Sequence, residues 1–331
     1  MKKRKIALII LLTLIVVYFL GPTPPSPQYN TEIPELPSIE KLEDFVNLKE
    51  AQFHTRPGNE AQIVWLDSNK SKTDYSILYL HGFSACHMEG NPIHMNLAKE
   101  FGANLYLARL HSHGLATNSL RDFNPEELYL SALEEMAIAE KLGKKLMIMS
   151  TSTGGTLALK LASEFPDKVL ALINLSPNIK IKNPAAVLLN DPWGADIAKM
   201  VYGGDNRKVP QLEPYAGLYW DSIYPAEATV QLEELLETTM LEEAFNKVTC
   251  PVLSLYYYKD EDNQDEVVDI EAIKEMHTML GTKPEHNVNK GLPTPQNHVI
   301  ASSIKSKDFK IVEEEITEFC VNTLNLKPES N

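Results

Sequence analysis

Cysteine is scarce in this chain. Cys86, Cys250 and Cys320 lie far apart, and no Cys-x-x-Cys pair is present to hold zinc or work as a redox dithiol. The odd count leaves at least one thiol free. Three buried thiols are expected, with a Cys250–Cys320 bridge as the alternative outside the cytoplasm. Positive charge is scarce too: 31 Lys and Arg face 45 Asp and Glu, a net charge of −14. Setting aside the basic cluster Lys2, Lys3, Arg4 and Lys5 leaves −18 on the rest. So acidic a body repels phosphate backbones and anionic membrane surfaces, which argues against nucleic acid as a partner. Internal repeats are absent as well. What remains is a 331-residue chain of ordinary globular composition, long enough for a large core in one or two domains.

Long apolar runs are also lacking, with one exception. Residues 6–20 follow the basic cluster without a charge. The run is shorter than the ~20 residues that cross a ~30 Å hydrocarbon core. It ends in Tyr18-Phe19-Leu20-Gly21-Pro22, which offers no small-residue cleavage site. No cysteine nearby could carry a lipid. The expectation is an uncleaved signal anchor over 1–20, a single transmembrane helix and the chain's only contact with the membrane. Its basic end would stay cytoplasmic, with the body on the extracytoplasmic side, periplasmic or extracellular. The next stretch, "GPTPPSPQYNTEIPELPSIE", holds six prolines. It reads as an extended, semi-rigid linker over 21–40 ahead of a body over 41–331.

Within the body, short apolar runs alternate with amphipathic stretches. Strands are expected at 62–66, 76–80, 104–108, 146–149, 169–175 and 252–257. The clearest helix is "NPEELYLSALEEMAIAEKLG", with Asn124 as N-cap, Pro125 in the first turn and Gly143 as the stop. Further helices are expected at 154–165, 269–281 and 306–325. Strands alternating with helices indicate an α/β fold, a mostly parallel central sheet flanked by helices. Between about 180 and 246 the strand pattern stops. Trp193, Trp220 and several tyrosines fall there, as an inserted helical cap over a pocket would require.

Four segments place reactive side chains at strand ends, where open α/β sheets bind ligands. In "MSTSTGG", small Ser150 and Gly154 flank Ser152 at two residues either side. A nucleophile on a sharp strand-to-helix turn needs such neighbours. The plainer reading is a polar turn with a helix N-cap. In "LYLHGF", the loop after His81-Gly82 presents the Phe83 N–H, and the N–H of Thr153 follows Ser152. The two form a candidate oxyanion hole. His81 reads as structural. In "KDEDNQDEVV", Asp260, Asp262 and Asp265 compete to orient a histidine. Asp265 is preferred because the valines that follow can anchor its turn in the core. In "PTPQNHVI", His298 is the candidate general base; His277, His286, His111 and His113 are rivals. A metal held by His111 and His113 finds no third ligand in the sequence.

The order Ser152, Asp265, His298 is the nucleophile–acid–histidine order of one fold. Through "LYLHGF", "ARLHSHGLA", "MSTSTGG", "DEVV" and "QNHVI", the chain resembles the α/β-hydrolase superfamily over roughly 60–326. Within it, the chain looks most like the monoglyceride-lipase and serine-aminopeptidase-like esterases. It departs in carrying Ser150 where the elbow's first glycine stands. The resemblance implies a serine hydrolase working without cofactor or metal on a small-molecule ester; the aromatic insertion adds an apolar acyl group, and the N-terminal run makes the expected enzyme membrane-anchored. Two alternatives stand: a peptidase, with Glu89 meeting the substrate's α-amine, and a binding module that keeps the fold without turnover.

Overall fold

Apolar side chains alternate along each central strand, and this alternation gives the sheet two buried faces. Leu78, Leu80, Ile148 and Leu172 point to one side; Ile77, Tyr79, Met147, Met149 and Ile173 point to the other. The computed structural model describes residues 2–329. In chain order its first half comprises α1 (Lys2–Phe19), α2 (Ile39–Glu50), β1 (Gln62–Val64), β2 (Thr73–Leu80), α3 (Ile93–Glu100), β3 (Ala103–Leu107), α4 (Pro125–Leu142), β4 (Gly143–Thr151), α5 (Thr153–Glu164) and β5 (Val169–Leu175). An insertion follows: α6 (Gly194–Tyr202), β6 (Asn206–Lys208), α7 (Ala216–Tyr219), β7 (Ile223–Pro225), α8 (Ala226–Thr239) and α9 (Glu242–Lys247). The sheet resumes with β8 (Val252–Asp260), β9 (Asn263–Gln264), α10 (Ile270–Met279), β10 (Asn287–Leu292) and α11 (Phe309–Asn322).

The strand order is β1-β3-β2-β4-β5-β8-β10, with β9 paired to β8. From β3 to β10 every pairing is parallel, and β1 and β9 are antiparallel additions. The chain leaves β2 for β3 on one side and returns to β4 on the other. The carboxyl ends of β2 and β4 therefore flank a topological switch point, the place where open α/β sheets bind their ligands. Helices α4 and α5 cover one face through Leu128, Leu133, Met136, Leu157 and Leu161. Helices α3 and α11 cover the other through Ile93, Leu97, Val312 and Ile316. Helix α4 begins as its sequence requires: Asn124 accepts the Glu127 N–H at 2.9 Å, with Pro125 in the first turn.

Three expectations need correction. No helix among the described residues is long and apolar enough to cross a membrane. Helix α1 begins with basic residues, and the apolar remainder rises only about 21 Å at ~1.5 Å per residue, against ~30 Å of hydrocarbon. A transmembrane anchor over 1–20 is therefore not what this helix provides. The proline-rich stretch is not a free spacer either. Tyr29 stacks edge-on against Tyr129 with ring centroids 5.6 Å apart, and Ile33 and Leu36 pack on the core. Lastly, the insertion is not purely helical, since β6 and β7 pair as a short antiparallel ribbon.

Candidate active site

Ser152 stands between β4 and α5 with φ +54° and ψ −119°, a conformation that costs a non-glycine residue energy. The surroundings enforce it. The Ser152 N–H donates to Leu175 O at 3.0 Å, and Ser152 O accepts the N–H groups of Gly155 and Asn178 at 2.8 and 3.0 Å. Glycine is obligatory at 154, where a Cβ would stand 2.1 Å from Leu80 O. Ser152 occupies the N-cap position of α5, yet its side chain makes no capping hydrogen bond. The N-cap reading of this serine thus fails, and a strained turn is left holding an uncommitted hydroxyl. Ser150 is fully buried, and its hydroxyl donates to Asn174 Oδ1 at 2.8 Å. That bond accounts for serine where a glycine was expected.

Asp265 and His298 meet. Asp265 Oδ2 lies 2.7 Å from His298 Nδ1, and Asp265 Oδ1 accepts the N–H groups of Val267 and Val268 at 2.8 and 3.1 Å. The carboxylate is fully buried. Burial pushes its pKa up, but the His298 ring and the two N–H donors outweigh that and hold it below the ordinary carboxylate value. Burial pushes His298 down; the Asp265 carboxylate, and after it Glu89, pull it above its ordinary value. Asp260 turns instead to its own loop, where Oδ1 accepts from the Asp262 N–H and from Asn263. The valine argument for Asp265 is half right. Val268 is buried, Val267 is largely exposed, and it is their N–H groups that fix the carboxylate.

The loop after β2 lies against Ser152. A Cβ on Gly82 would stand 2.9 Å from Ser152 Cβ, so Phe83 leaves the β2 end directly beside the serine. Thr153 opens α5 immediately after it. The Phe83 ring is wedged among His113, Phe123 and Tyr224. His81 is buried, bonded to Gly82 O and the Leu110 N–H, and burial pushes it down to about 3, which fits a structural, neutral imidazole. His111 and His113 each bond a backbone carbonyl, and no cluster of three or more metal-ligating side chains occurs among the described residues. His277 and His286 belong to α10 and to a turn before β10, and His277 pairs with Asn287.

Glu89 does not serve the role given to it in a peptidase. Its Oε2 accepts the Gly82 N–H at 2.6 Å, its Oε1 accepts the Trp220 Nε1–H at 3.2 Å, and it is 3% exposed. The two cap tryptophans also part ways. Trp220 is buried against the loop, whereas Trp193 sits at the outer surface and donates to the carbonyls of Val17 and Tyr18. A cleft of about 690 Å³ between residues 30–35 and α4 is lined by Phe53, Arg109 and His111 and includes neither Ser152 nor His298. Ser152 itself is 6% exposed, nearly sealed. Reading the sequence missed Ser176, whose hydroxyl donates to His298 O at 2.8 Å, and Asn174; the polar break "NLSPN" at the end of β5 is the signal that could have marked them.

No family model matches the chain, and no curated protein matches it. Solved structures do. A chain reported for the metagenome-derived lipolytic enzymes LipS and LipT superposes with a TM-score of 0.61 at 17% identity, covering 80% of this chain and 98% of that one. A soluble variant of monoglyceride lipase from Saccharomyces cerevisiae gives 0.56 at 11%, covering 88% and 98%. Est1E from Butyrivibrio proteoclasticus with ferulic acid bound gives 0.53 at 18%, covering 82% and 99%. With its parallel sheet, its flanking helices and its switch point between β2 and β4, the chain has the α/β-hydrolase fold.

Proposed function

We propose that this protein is a serine hydrolase that cleaves carboxylic esters through an acyl-enzyme. The reading rests above all on one observation: Ser152 is held at φ +54° with a side chain that caps nothing, at the same carboxyl end of the sheet as the Asp265–His298 pair. In this reading Ser152 Oγ attacks the ester carbonyl while His298 takes its proton. Asp265 fixes the imidazole tautomer and stabilises the imidazolium. The N–H groups of Phe83 and Thr153 receive the oxyanion. The alcohol leaves with the proton from His298; water then attacks the acyl-enzyme by the reverse proton path. Lipolytic and esterase neighbours on the same fold support esters over other acyl compounds, and the apolar cap supports an apolar acyl group. The chemistry calls on no metal or cofactor.

The test is labelling of the full chain in mild detergent with a fluorophosphonate probe, beside Ser152→Ala. Labelling of the wild type that disappears in the variant is the expected result. A folded wild type that does not label overturns the reading. We also propose that the body acts outside the cytoplasm. A basic cluster followed by an apolar run too short to span has the dimensions of an export signal's core. Protease added to spheroplasts, or release of the body with the periplasmic and culture fractions, should then reach it while the cytoplasmic membrane is intact; protection until that membrane is lysed would refute this placement.

A further inference from the structure

Glu89 belongs to no step of the mechanism above, yet it touches everything around it. It lies in a 3₁₀ turn, His87–Gly90, after the loop that carries Phe83. Gly82 is the spacer between it and the nucleophile: a Cβ there would stand 3.0 Å from Glu89 Oε2 and 2.9 Å from Ser152 Cβ. Only a glycine fits this gap. On its other side Glu89 meets the cap through Trp220. Trp220 packs with Ala85, Ala216 and Val299, and Val299 is the neighbour of His298. The next cap residue, Asp221, extends the same seam. Its N–H donates to Ser84 O at 2.7 Å, and its carboxylate pairs with Arg56 at 2.5 Å.

We propose that Glu89 is a positioning residue for the reaction. By accepting one N–H from Gly82 and one from Trp220, it fixes the oxyanion loop only when the cap is seated. The inference rests on the hydrolase reading given above. Its chemical logic is the number of acceptors. Two N–H donors converge on this side chain from two different elements, and a carboxylate offers an acceptor oxygen to each. A glutamine offers one; its amide NH₂ would face the second donor and break one half of the clasp. A buried carboxylate is costly unless bonded on both sides, so an apolar side chain would hold this position more cheaply if packing were its only task. Burial pushes Glu89 up to about 7, against the Gly82 N–H and the charges of His298 and Lys305, which pull it down. Tyr79 and Cys86 face it too, both with pKa values raised by burial and both therefore neutral.

The experiment compares the wild-type full chain, Glu89→Gln, Trp220→Phe and the double variant. Trp220→Phe keeps an aromatic ring and removes only the N–H. Each is assayed for kcat and KM on p-nitrophenyl acetate and for its rate of fluorophosphonate labelling. Losing one oxyanion donor outright costs about 10²–10³ in kcat, so a loosened loop should cost less. The expected result is a fall in kcat of about tenfold for Glu89→Gln and about threefold for Trp220→Phe, with KM little changed. The double variant should be no slower than Glu89→Gln alone, because both changes cut one clasp. An active wild type with equally active variants, or effects that multiply in the double, overturns the inference alone. A wild type that neither labels nor turns over removes the hydrolase reading and this inference with it. Should Glu89→Gln not fold, the kcat and KM of Trp220→Phe decide: unchanged kcat overturns the clasp.

Discussion

In the proposed reaction His298 takes a proton, so its imidazole must be neutral, and this requirement would set the pH at which it can work. Burial pushes His298 down, but Asp265 and then Glu89 carry it above its ordinary 6.5. The acid limb of kcat/KM should therefore lie above pH 6.5. Asp265→Asn removes the largest raising charge and the bond that fixes the tautomer. The limb should move to lower pH, and kcat should fall by about 10⁴. A pH–rate profile of the two proteins checks both; an unmoved limb would mean that Asp265 does not govern His298. The same pair makes stability depend on pH in two windows. Asp265's contribution is present above the ordinary carboxylate pKa and lost as pH falls through its lowered value. His298's is present below 6.5 and lost as pH rises through its raised one. Ser150 makes a milder case. Ser150→Gly restores the expected elbow but removes a buried hydroxyl from Asn174, whose Nδ2 already lacks a partner. Urea unfolding should show a loss of about 1–3 kcal/mol, with the labelling rate kept. Ser152 and Asp265 stood out as candidates because each follows a strand pattern that breaks into polar residues; His298 stood out only as a loop histidine late in the chain, and what the structure adds is its 2.7 Å contact with Asp265. Glu89's partners were not legible, since Trp220 lies 131 positions along the chain and only folding brings it near.

At the scale of elements, the sequence was most readable where burial is complete. Strand β5 fell at its expected bounds, and β2, β4 and β8 merely run longer, because strands buried on both faces show as unbroken apolar runs. Strand β10 was missed. "NVNKGL" is half-buried and polar, and it lies at the sheet's edge on β8, where pairing rather than side-chain pattern makes it a strand. It nonetheless leads the chain toward His298. Helix α5 was placed well, but its docking depends on a contact that no periodicity reveals. Gly154 lets α5 approach the end of β2 so closely that Leu80 O occupies the place of a Cβ. Gly154→Ala must therefore push helix and strand apart. The expected cost is about 1–3 kcal/mol or more in thermal or urea unfolding, together with loss of labelling, since the Ser152 turn is set by that approach. A variant with wild-type stability and labelling would show that the elbow tolerates the shift.

For the whole molecule, the largest gap between pattern and structure concerns the first twenty residues. Their apolarity was plain; what it covers was not. From Ile6 onward the apolar side chains of α1 stand in the open, up to Phe19 at 73% and, just past the helix, Leu20 at 76% exposure. The cap adds Met200 and Val201, both largely exposed and on α6, the helix that directly follows Trp193. Trp193 ties the two together through the carbonyls of Val17 and Tyr18. Soluble monomers rarely expose so much contiguous apolar surface. The body behind it has a net charge that opposes self-association, so α1 and its neighbours should dominate how the full chain partitions. In a Triton X-114 phase separation the full chain should enter the detergent-rich phase, and residues 21–331 should stay in the aqueous phase. Truncation removes the two surface acceptors of Trp193 and the Tyr18 hydroxyl that donates to Asp191, all exposed and replaceable by water, while Tyr29 remains stacked on Tyr129. The fluorophosphonate labelling rate of the shortened chain should thus match that of the full one. A full chain that stays aqueous would show that the apolar face of α1 is covered in solution, and a shortened chain that labels more slowly would tie α1 to the cap's working position.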